Sequence, residues 1–182
     1  MYSMKVFWIL IVLTVCGLLI YQTHSINNLT PTNMKISSPS FQDNNKIPAS
    51  FTCDGADINP ELRFEGVPTD TVSLALIMDD PDAPNGLWRH WVLWNISPKS
   101  KSISEHSTPS GSVIGMNSGG QNGYAGPCPP SGTHHYHFRL YALDTKLDLP
   151  TTTNASELET AIDGHIIDQT EMVGLYTRMM EE

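Results

Sequence analysis

Two short stretches of the chain combine ionisable side chains with turn-forming residues, and each runs directly into a β-strand pattern. The first is Asp79-Asp80-Pro81-Asp82-Ala83-Pro84 with Trp88-Arg89-His90-Trp91, and the second is Gly126-Pro127-Cys128-Pro129-Pro130 with His134-His135-Tyr136. A charged imidazole is a strong hydrogen-bond donor to a phosphate or carboxylate, and a neighbouring carboxylate stabilises its charge. These residue types therefore predict a polar pocket for a small anion at the rim of a β-domain.

Strand parity suggests that four of these side chains face one core. Side chains two residues apart in a strand share a face. In each of three predicted strands, a polar residue extends a row of apolar side chains at the end nearest the loop. Asp80 extends Leu74-Leu76-Met78, and His90 extends Val92-Trp94-Ile96. The pair His134 and Tyr136 extends Phe138-Leu140. In this interpretation Asp80 orients and charges an imidazole, His90 and His134 donate to the anion, and Tyr136 adds a hydroxyl donor. One β-bulge would move any of these side chains to the other face.

The elements that position these residues are predicted to be mainly β-strands. The strongest predictions are residues 73–78, 90–96 and 136–142, which are rich in aromatic and branched residues; weaker ones are 49–53, 62–64, 112–116 and 172–178. One helix is predicted from Glu157 to Asp163, with Asn154 or Ser156 as N-cap and Gly164 at its end. Strands without alternating helices predict an all-β fold, an antiparallel β-sandwich.

Length and composition fit one β-rich domain and exclude several functions. The chain has 182 residues, of which 40% are hydrophobic, and its 13 Gly and 13 Pro indicate many turns. The formal net charge of -9 argues against a nucleic-acid backbone or an anionic membrane surface as a partner. The sequence has no glycine-rich nucleotide-binding motif, so no cofactor is predicted.

The N-terminal 25 residues form a separate segment. Lys5 precedes an unbroken apolar run at residues 6–20, after which the chain becomes polar. A run of this length fits the core of a signal peptide, because a spanning helix usually needs about 20 residues. An uncleaved anchor and a lipoprotein signal at Cys16 are the alternatives. Residues 1–25 are therefore predicted to be a signal peptide or membrane anchor, 26–34 a linker, and 35–182 the domain.

Export determines how the cysteines are interpreted. The domain is expected in the periplasm or outside the cell, free or tethered to the membrane by residues 6–20. In that oxidising compartment Cys53 and Cys128 can form a disulfide. Closing a loop of about 75 residues would contribute roughly 4 kcal/mol in the chain-entropy description. Two buried free thiols are the alternative.

Metal binding is a competing use of the histidines. His134, His135 and His137, with His90 and Asp80, contain enough donors for zinc or copper. Parity places His135 and His137 on the face opposite to His134, so no metal site is predicted.

Hydrolysis is a third possibility. Ser131 or Ser118 could serve as nucleophile, with a histidine as base and Asp80 as the orienting acid. The sequence contains no Gly-x-Ser-x-Gly motif, and an enzyme is therefore the less favoured interpretation.

The two stretches resemble motifs of the phosphatidylethanolamine-binding protein family, and within it the bacterial and archaeal Raf-kinase-inhibitor-like branch. Thr52-Cys53-Asp54-Gly55 with Asn59-Pro60, and Tyr141-Ala142-Leu143-Asp144, also resemble that branch, and the resemblance covers residues 35–180. It implies a Greek-key β-sandwich with a small cavity for phosphate-like anions. The residues that it implies for this cavity are Asp80, His90, His134 and Tyr136, with Pro129 and Pro130 as a wall and Trp88 as the flanking aromatic side chain.

The chain departs from the family pattern in two places. The family often has an arginine where this chain has His135, which implies that a salt bridge beside the pocket is lost. The leader is the second difference, and it argues against inhibition of an intracellular kinase. A protein inhibitor of some other enzyme stays open as an alternative function.

Overall fold

The computed structural model describes residues 33–178, which form two β-sheets, one 3-10 helix and one α-helix. The 3-10 helix spans Ala49–Phe51 and helix α1 spans Ala155–Ile162. The strands are β1 (Lys35–Ser37), β2 (Asn45–Lys46), β3 (Leu62–Glu65), β4 (Ser73–Asp80), β5 (Trp88–Ile96), β6 (Ser102–Ile103), β7 (Val113–Ile114), β8 (Thr133–Leu143) and β9 (Ile166–Thr177). The predicted leader lies outside the described residues.

The strands are arranged in a small and a large sheet. The small sheet has the order β1-β3-β6, and the large sheet has the order β2-β9-β8-β4-β5-β7. Every pairing between these strands is antiparallel except the short parallel pairing of β2 with β9. The predicted β-rich class is confirmed, while the Greek-key sandwich stays a prediction. Within residues 33–178, no helix is both long and apolar enough to cross a membrane.

Strand β4 is the centre of the large sheet, and all eight of its residues are buried. On one face, Leu74, Leu76 and Met78 join a cluster that also contains Ile36 and Phe64 of the small sheet. On the other face, β4 packs against helix α1 in a second cluster, which includes Ala75, Ile77, Ala155, Leu158 and Ile162. Burial on both faces explains why this strand is an unbroken apolar run rather than an alternating one.

Helix α1 begins and ends at local signals that the sequence carries. The Asn154 side chain accepts a hydrogen bond from the Glu157 backbone N–H at 3.1 Å, and the Glu157 carboxylate accepts one from the Asn154 N–H at 2.9 Å. This reciprocal capping box satisfies two N–H groups that have no partner within the helix. Gly164, with φ of +81°, lies just beyond the helix end. The predicted helix is confirmed, with Asn154 as its N-cap.

The predicted strand at residues 49–53 is wrong. This segment forms the 3-10 helix Ala49–Phe51, followed by turns. Pro48 fixes the preceding backbone at φ of -59°, and the Thr52 hydroxyl donates to the Ala49 carbonyl at 2.9 Å. These local bonds close a turn and override the strand preference of Phe51 and Thr52. The predicted strand at 112–116 shortens to β7, and that at 172–178 belongs to the longer β9.

Strand β5 contains two irregularities that change which side chains share a face. Met78 pairs with Trp91 and Asp79 pairs with Arg89, so His90 is an extra residue between them. A second shift lies near Asn95, whose φ is +56°. As a result Trp91, Leu93 and Ile96 face the first cluster, whereas Val92 and Trp94 face helix α1. The predicted row of His90 with Val92, Trp94 and Ile96 is therefore wrong, because β-bulges interrupt the alternation.

Candidate functional site

Three strand ends meet at one edge of the large sheet. Strand β4 ends where its antiparallel neighbours β5 and β8 begin, so Asp80 pairs with Trp88, and Asp79 pairs with His137. The apolar strands therefore hold polar residues from distant parts of the sequence at a common edge. The bulge at His90 places this imidazole beside Tyr136 of β8, at 5.2 Å between ring centroids.

A cavity of about 790 Å³ opens at this edge. Six of the seven predicted ligand-binding residues line it: Asp80, Trp88, His90, Pro129, Pro130 and His134. The seventh, Tyr136, lies behind the imidazoles and does not line the cavity. None of the lining residues, all of which belong to the described part of the chain, is a lysine or arginine. Any anion bound here would depend on the imidazoles and on backbone groups.

Asp80 and His134 form a buried pair at the cavity. His134 Nδ1 lies 2.7 Å from Asp80 Oδ2, and the two side chains are 8% and 5% exposed. The other carboxylate oxygen, Asp80 Oδ1, accepts the backbone N–H of Asp82 at 2.9 Å. Since a carboxylate accepts, His134 Nδ1 donates, and Nε2 is its remaining ring nitrogen. Asp80 therefore fixes the orientation of His134 and can stabilise a positive charge on it.

His90 is held by a backbone carbonyl instead of an acid. Its Nδ1 lies 2.6 Å from the carbonyl oxygen of Ala125, so Nδ1 donates this bond. Burial lowers the pKa of His90, against smaller opposing effects of the Ala125 carbonyl and the charge of Asp80. The neutral ring then carries its proton on Nδ1, and its Nε2 is an acceptor. The expectation that His90 donates to an anion therefore applies only to its protonated form.

Tyr136 packs against both imidazoles. It is fully buried, its ring meets His90 edge-on, and it stacks on His134 with ring centroids 6.4 Å apart. Among residues 33–178 its hydroxyl makes no hydrogen bond of good geometry, although it lies near the Asp80 carboxylate and the Cys128 backbone. Burial, and next the negative charge of Asp80, raise the pKa of Tyr136 far above its usual range. The hydroxyl therefore stays protonated, and the ring fixes the positions of both imidazoles.

The disulfide predicted between Cys53 and Cys128 is present, and both residues line the cavity. Their Cα atoms are 5.4 Å apart. The Cys53 N–H also donates to the Pro127 carbonyl at 3.1 Å. The bridge therefore fastens the wall formed by Pro129 and Pro130 to the segment that follows the 3-10 helix.

The tryptophans divide between the wall and the core. Trp88 is 40% exposed and lines the cavity, whereas Trp91 and Trp94 are buried in the two hydrophobic clusters. Leu87, next to Trp88, is 45% exposed. The rim of the cavity thus carries an apolar surface on the loop between β4 and β5.

Two components of the site have no clear signal in the sequence. Asp57 lines the cavity, and its Oδ1 accepts the Gly126 N–H at 2.6 Å. The Ala125 carbonyl that orients His90 is a backbone group, which residue identity does not reveal. Gly126 offers an indirect signal, since a Cβ there would lie 2.5 Å from Asp57 Oδ1 and 2.6 Å from the Phe51 carbonyl oxygen. Only glycine fits this contact.

His135 forms hydrogen bonds with an acid beside the pocket. Its Nδ1 lies 2.7 Å from Asp82 Oδ2, and its backbone N–H donates to the same oxygen at 2.8 Å. These bonds lower the pKa of Asp82. Where the resemblance implied that a salt bridge is lost, histidine therefore reaches the acid that follows Asp80-Pro81.

The neighbouring histidines and acids do not converge on a metal-binding arrangement. His137 lies on the other face, with its Nδ1 3.1 Å from Glu171. Asp79 also faces away from the cavity and contacts Arg89 at 2.8 Å and Arg139 at 3.2 Å. Across residues 33–178, no group of three His, Cys, Asp or Glu side chains could hold a metal ion.

Comparison with known proteins gives a family for this fold and cavity. The family described as phosphatidylethanolamine-binding protein matches residues 37–177. The chain belongs to the phosphatidylethanolamine-binding protein family, as the motifs predicted. A UPF0098 protein of Methanothermobacter thermautotrophicus is 47% identical over 150 residues, which cover 80% of this chain and 99% of the relative. LppC of Mycobacterium tuberculosis, named as a candidate lipoprotein, is 42% identical over 145 residues, covering 79% of this chain and 72% of LppC.

Solved structures show the same fold. The homologue CT736 of Chlamydia trachomatis is 38% identical with a TM-score of 0.78, and the match covers 81% of this chain and 99% of CT736. YbcL of E. coli, described as a member of the mammalian PEBP family, is 28% identical with a TM-score of 0.76, covering 80% and 99%.

Proposed function

We propose that this protein is a binding module for small anionic, phosphate-like ligands, which occupy the cavity beside Asp80, His90 and His134. The observation that carries the proposal is the commitment of both Nδ1 atoms, one to Asp80 and one to the Ala125 carbonyl. In residues 33–178 neither Nε2 has a hydrogen-bond partner, and both rings line the cavity. Membership of a family named for binding a phosphorylated lipid is consistent with this proposal.

His134 is the principal donor to the anion. In its imidazolium form, Nε2–H donates a charge-assisted hydrogen bond, while Asp80 holds the ring from the other side. His90 presents a second ring nitrogen, and Trp88 with Pro129 and Pro130 encloses the non-polar part of a ligand. The overall charge of -9 opposes anions at long range, so recognition depends on this local arrangement.

Phosphate affinity is therefore expected to fall as pH rises, because a neutral imidazole whose Nδ1 carries the proton cannot donate from Nε2. Isothermal titration calorimetry of the full chain with inorganic phosphate should give an affinity roughly tenfold higher at about pH 5.5 than at about pH 8. The variant His134→Gln should bind more weakly and show a smaller pH dependence.

His165→Gln is the matched control. His165 also pairs through Nδ1 with an aspartate, Asp144, at 2.8 Å, but it does not line the cavity. This variant should keep the affinity and pH dependence of the unmodified chain. Equal phosphate affinity at both pH values, or equal losses in the two variants, would contradict the proposal.

A protein partner is a second candidate function, favoured by the apolar rim. Leu87 and Trp88 are both exposed on the loop that borders the cavity. An inhibitor would use this loop to contact its target enzyme. A pull-down from the same compartment with the unmodified chain and with Leu87→Ser tests this role. Because Leu87 also lines the cavity, phosphate calorimetry on Leu87→Ser shows whether ligand binding changes with it.

The geometry gives less support to hydrolysis. Ser118 lines the cavity, but its Oγ accepts the backbone N–H of Arg89 at 2.8 Å. Among the described hydrogen bonds, neither Ser118 nor Ser131 is joined to a histidine. A nucleophile activated by a histidine would need that contact.

We also propose that the domain is exported, with the membrane contacted only through residues 6–20 and with no nucleic-acid partner. Three observations support export: the apolar run after Lys5, the disulfide of Cys53 with Cys128, and a relative named as a candidate lipoprotein. Disulfides persist mainly in oxidising compartments.

A further inference from the structure

The two halves of the disulfide differ in how open they are to solvent. Cys128 is exposed, whereas Cys53 is half-buried, and both residues line the open cavity. Thiol–disulfide exchange proceeds by direct attack of one sulfur on another, so its rate depends on access to the sulfur that is attacked. A small thiol or disulfide from solvent therefore meets Cys128 first.

Cys128 also has a cation beside its sulfur. Arg178 follows β9, and its Nη1 lies 3.8 Å from Cys128 Sγ. Asp54 holds this guanidinium in place, because its Oδ1 accepts from Arg178 Nε at 2.9 Å. A neighbouring arginine stabilises a thiolate, which is the reactive form of cysteine. When the bridge is reduced, Cys128 thus has the surroundings of a nucleophilic thiolate.

The sulfur of Cys53 faces a negative group instead. Its Sγ lies 4.0 Å from Asp54 Oδ1. A carboxylate disfavours a thiolate and can accept the S–H of a protonated thiol. The other titratable groups that face the bridge from neighbouring elements are Asp57, Asp80, His90, His134 and Tyr136. Arg178 and Asp54 are the charged groups that contact one sulfur each, so they distinguish the two cysteines.

We propose that Cys53 and Cys128 form an exchange site for small-molecule thiols and disulfides, in which Cys128 forms the mixed disulfide and Cys53 resolves it. An exposed thiolate beside a resolving cysteine is the arrangement found at cysteines that respond to redox state. The inference goes beyond the proposed function and does not depend on anion binding.

Closure of the bridge transfers two electrons to an external disulfide. The Cys128 thiolate attacks one sulfur of that disulfide, whose S–S bond breaks and whose other half leaves as a thiolate. Cys53 gives its proton to the departing thiolate and then attacks Cys128 Sγ, which releases the second half. The reverse steps, with two external thiols as the reductant, open the bridge.

The first test compares the two cysteines one at a time. The full-chain variants Cys53→Ser and Cys128→Ser each keep one of them, and mass mapping follows their reaction with oxidised glutathione. At about pH 7, Cys128 should form the mixed disulfide roughly tenfold faster than Cys53. Circular dichroism checks that both variants are folded. Limited alkylation of the reduced, unmodified chain gives the same comparison without any substitution.

The variant Arg178→Gln, in the Cys53→Ser background, separates the effect of the cation from a structural effect. Loss of the cation lowers the thiolate fraction but makes the thiolate more nucleophilic, so the rate at Cys128 should fall about threefold at about pH 7. At about pH 10 the thiol is ionised with or without the arginine, so the variant should react as fast as its parent or faster.

Arg63→Gln in the same background is the matched control. Arg63 Nε also donates to a carboxylate, that of Glu61 at 2.7 Å, but among the described contacts it does not touch the bridge. This variant should keep both rates.

Three results would overturn the inference. The first is an equal rate at the two cysteines of the folded, reduced chain. The second is an Arg178→Gln variant whose rate is unchanged at about pH 7, or reduced equally at about pH 7 and about pH 10. The third is a bridge that excess dithiothreitol leaves closed in the folded, unmodified chain. Since none of these measurements involves phosphate, they leave the proposed function to its own test.

Discussion

At the scale of single residues, the central feature is that two histidines have different partners. Asp80 accepts from His134, and the Ala125 carbonyl accepts from His90. The sequence predicted that these imidazoles lie together, because each stands where a loop meets an apolar strand. It could not predict that one of them is held by a backbone group, although Nδ1 is the donor in both rings.

Tyr136 lies against the two imidazoles, where the resemblance implied a hydroxyl donor to the ligand. Its hydroxyl is buried without a partner in the described chain, and it does not line the cavity. Replacing Tyr136 with Phe should therefore leave the free energy of unfolding unchanged or raise it by about 1 kcal/mol, because the cost of an unpaired buried hydroxyl is removed. Urea unfolding of the full chain measures this, and phosphate affinity should change less than about threefold.

Tyr124→Phe is the matched control, because the Tyr124 hydroxyl donates to the Phe51 carbonyl at 2.8 Å. That variant should lose about 1 kcal/mol, as expected for a net hydrogen bond. A folded Tyr136→Phe variant that binds phosphate more than about tenfold worse would mean that the hydroxyl contacts the ligand.

At the scale of elements, the sequence predicted the strands better than their regularity. The run in β4 and the aromatic residues in β5 and β8 indicated three strands, since such residues fit a buried sheet. Alternation alone would send His90 with Val92 towards helix α1. The bulge between Met78 and Asp79 reverses this, and bulges depend on the pairing of two strands rather than on the sequence of one.

In the segment of residues 49–53, the type of element itself was wrongly predicted. Its residue types favour a strand, but a local turn forms because Pro48 and the Thr52 hydroxyl close it. This turn carries Cys53 to the cavity wall, where Cys128 meets it. The element that was wrongly predicted therefore helps to build the wall of the candidate cavity.

At the scale of the whole molecule, the disulfide connects stability with compartment. The bridge closes a separation of 75 residues and is part of the cavity wall. When cells are fractionated, the chain should be recovered outside the cytosol. Neither Cys53 nor Cys128 should then carry an alkylatable thiol. Non-reducing mass mapping of the cell fractions checks this.

The same bridge should contribute roughly 2–4 kcal/mol to the free energy of unfolding, so the double variant Cys53→Ser with Cys128→Ser should lose about this amount. Urea unfolding of the double variant beside the oxidised chain measures the difference. Soluble cytosolic chain with two alkylatable thiols would contradict both the proposed export and the relevance of the bridge.

The net charge of the whole molecule also restricts anion binding to a local site. A protein of net charge -9 has no general attraction for anions, so any binding must localise to groups that can donate at one place. Asp80, His90 and His134 form such a place because three strands end together there.

The most direct test of anion binding at this place is long-range ¹H–¹⁵N NMR of the histidine side chains in the full chain, recorded while inorganic phosphate is added. Without phosphate, His90 should be neutral at about pH 7 with its proton on Nδ1, and it should titrate below the ordinary value of about 6.5 because burial lowers its pKa. Phosphate should shift the Nε2 signals of His90 and His134 in a saturable manner and leave His165 unchanged. Saturable phosphate binding that leaves both of these Nε2 signals unmoved, or moves His165 equally, would contradict the account.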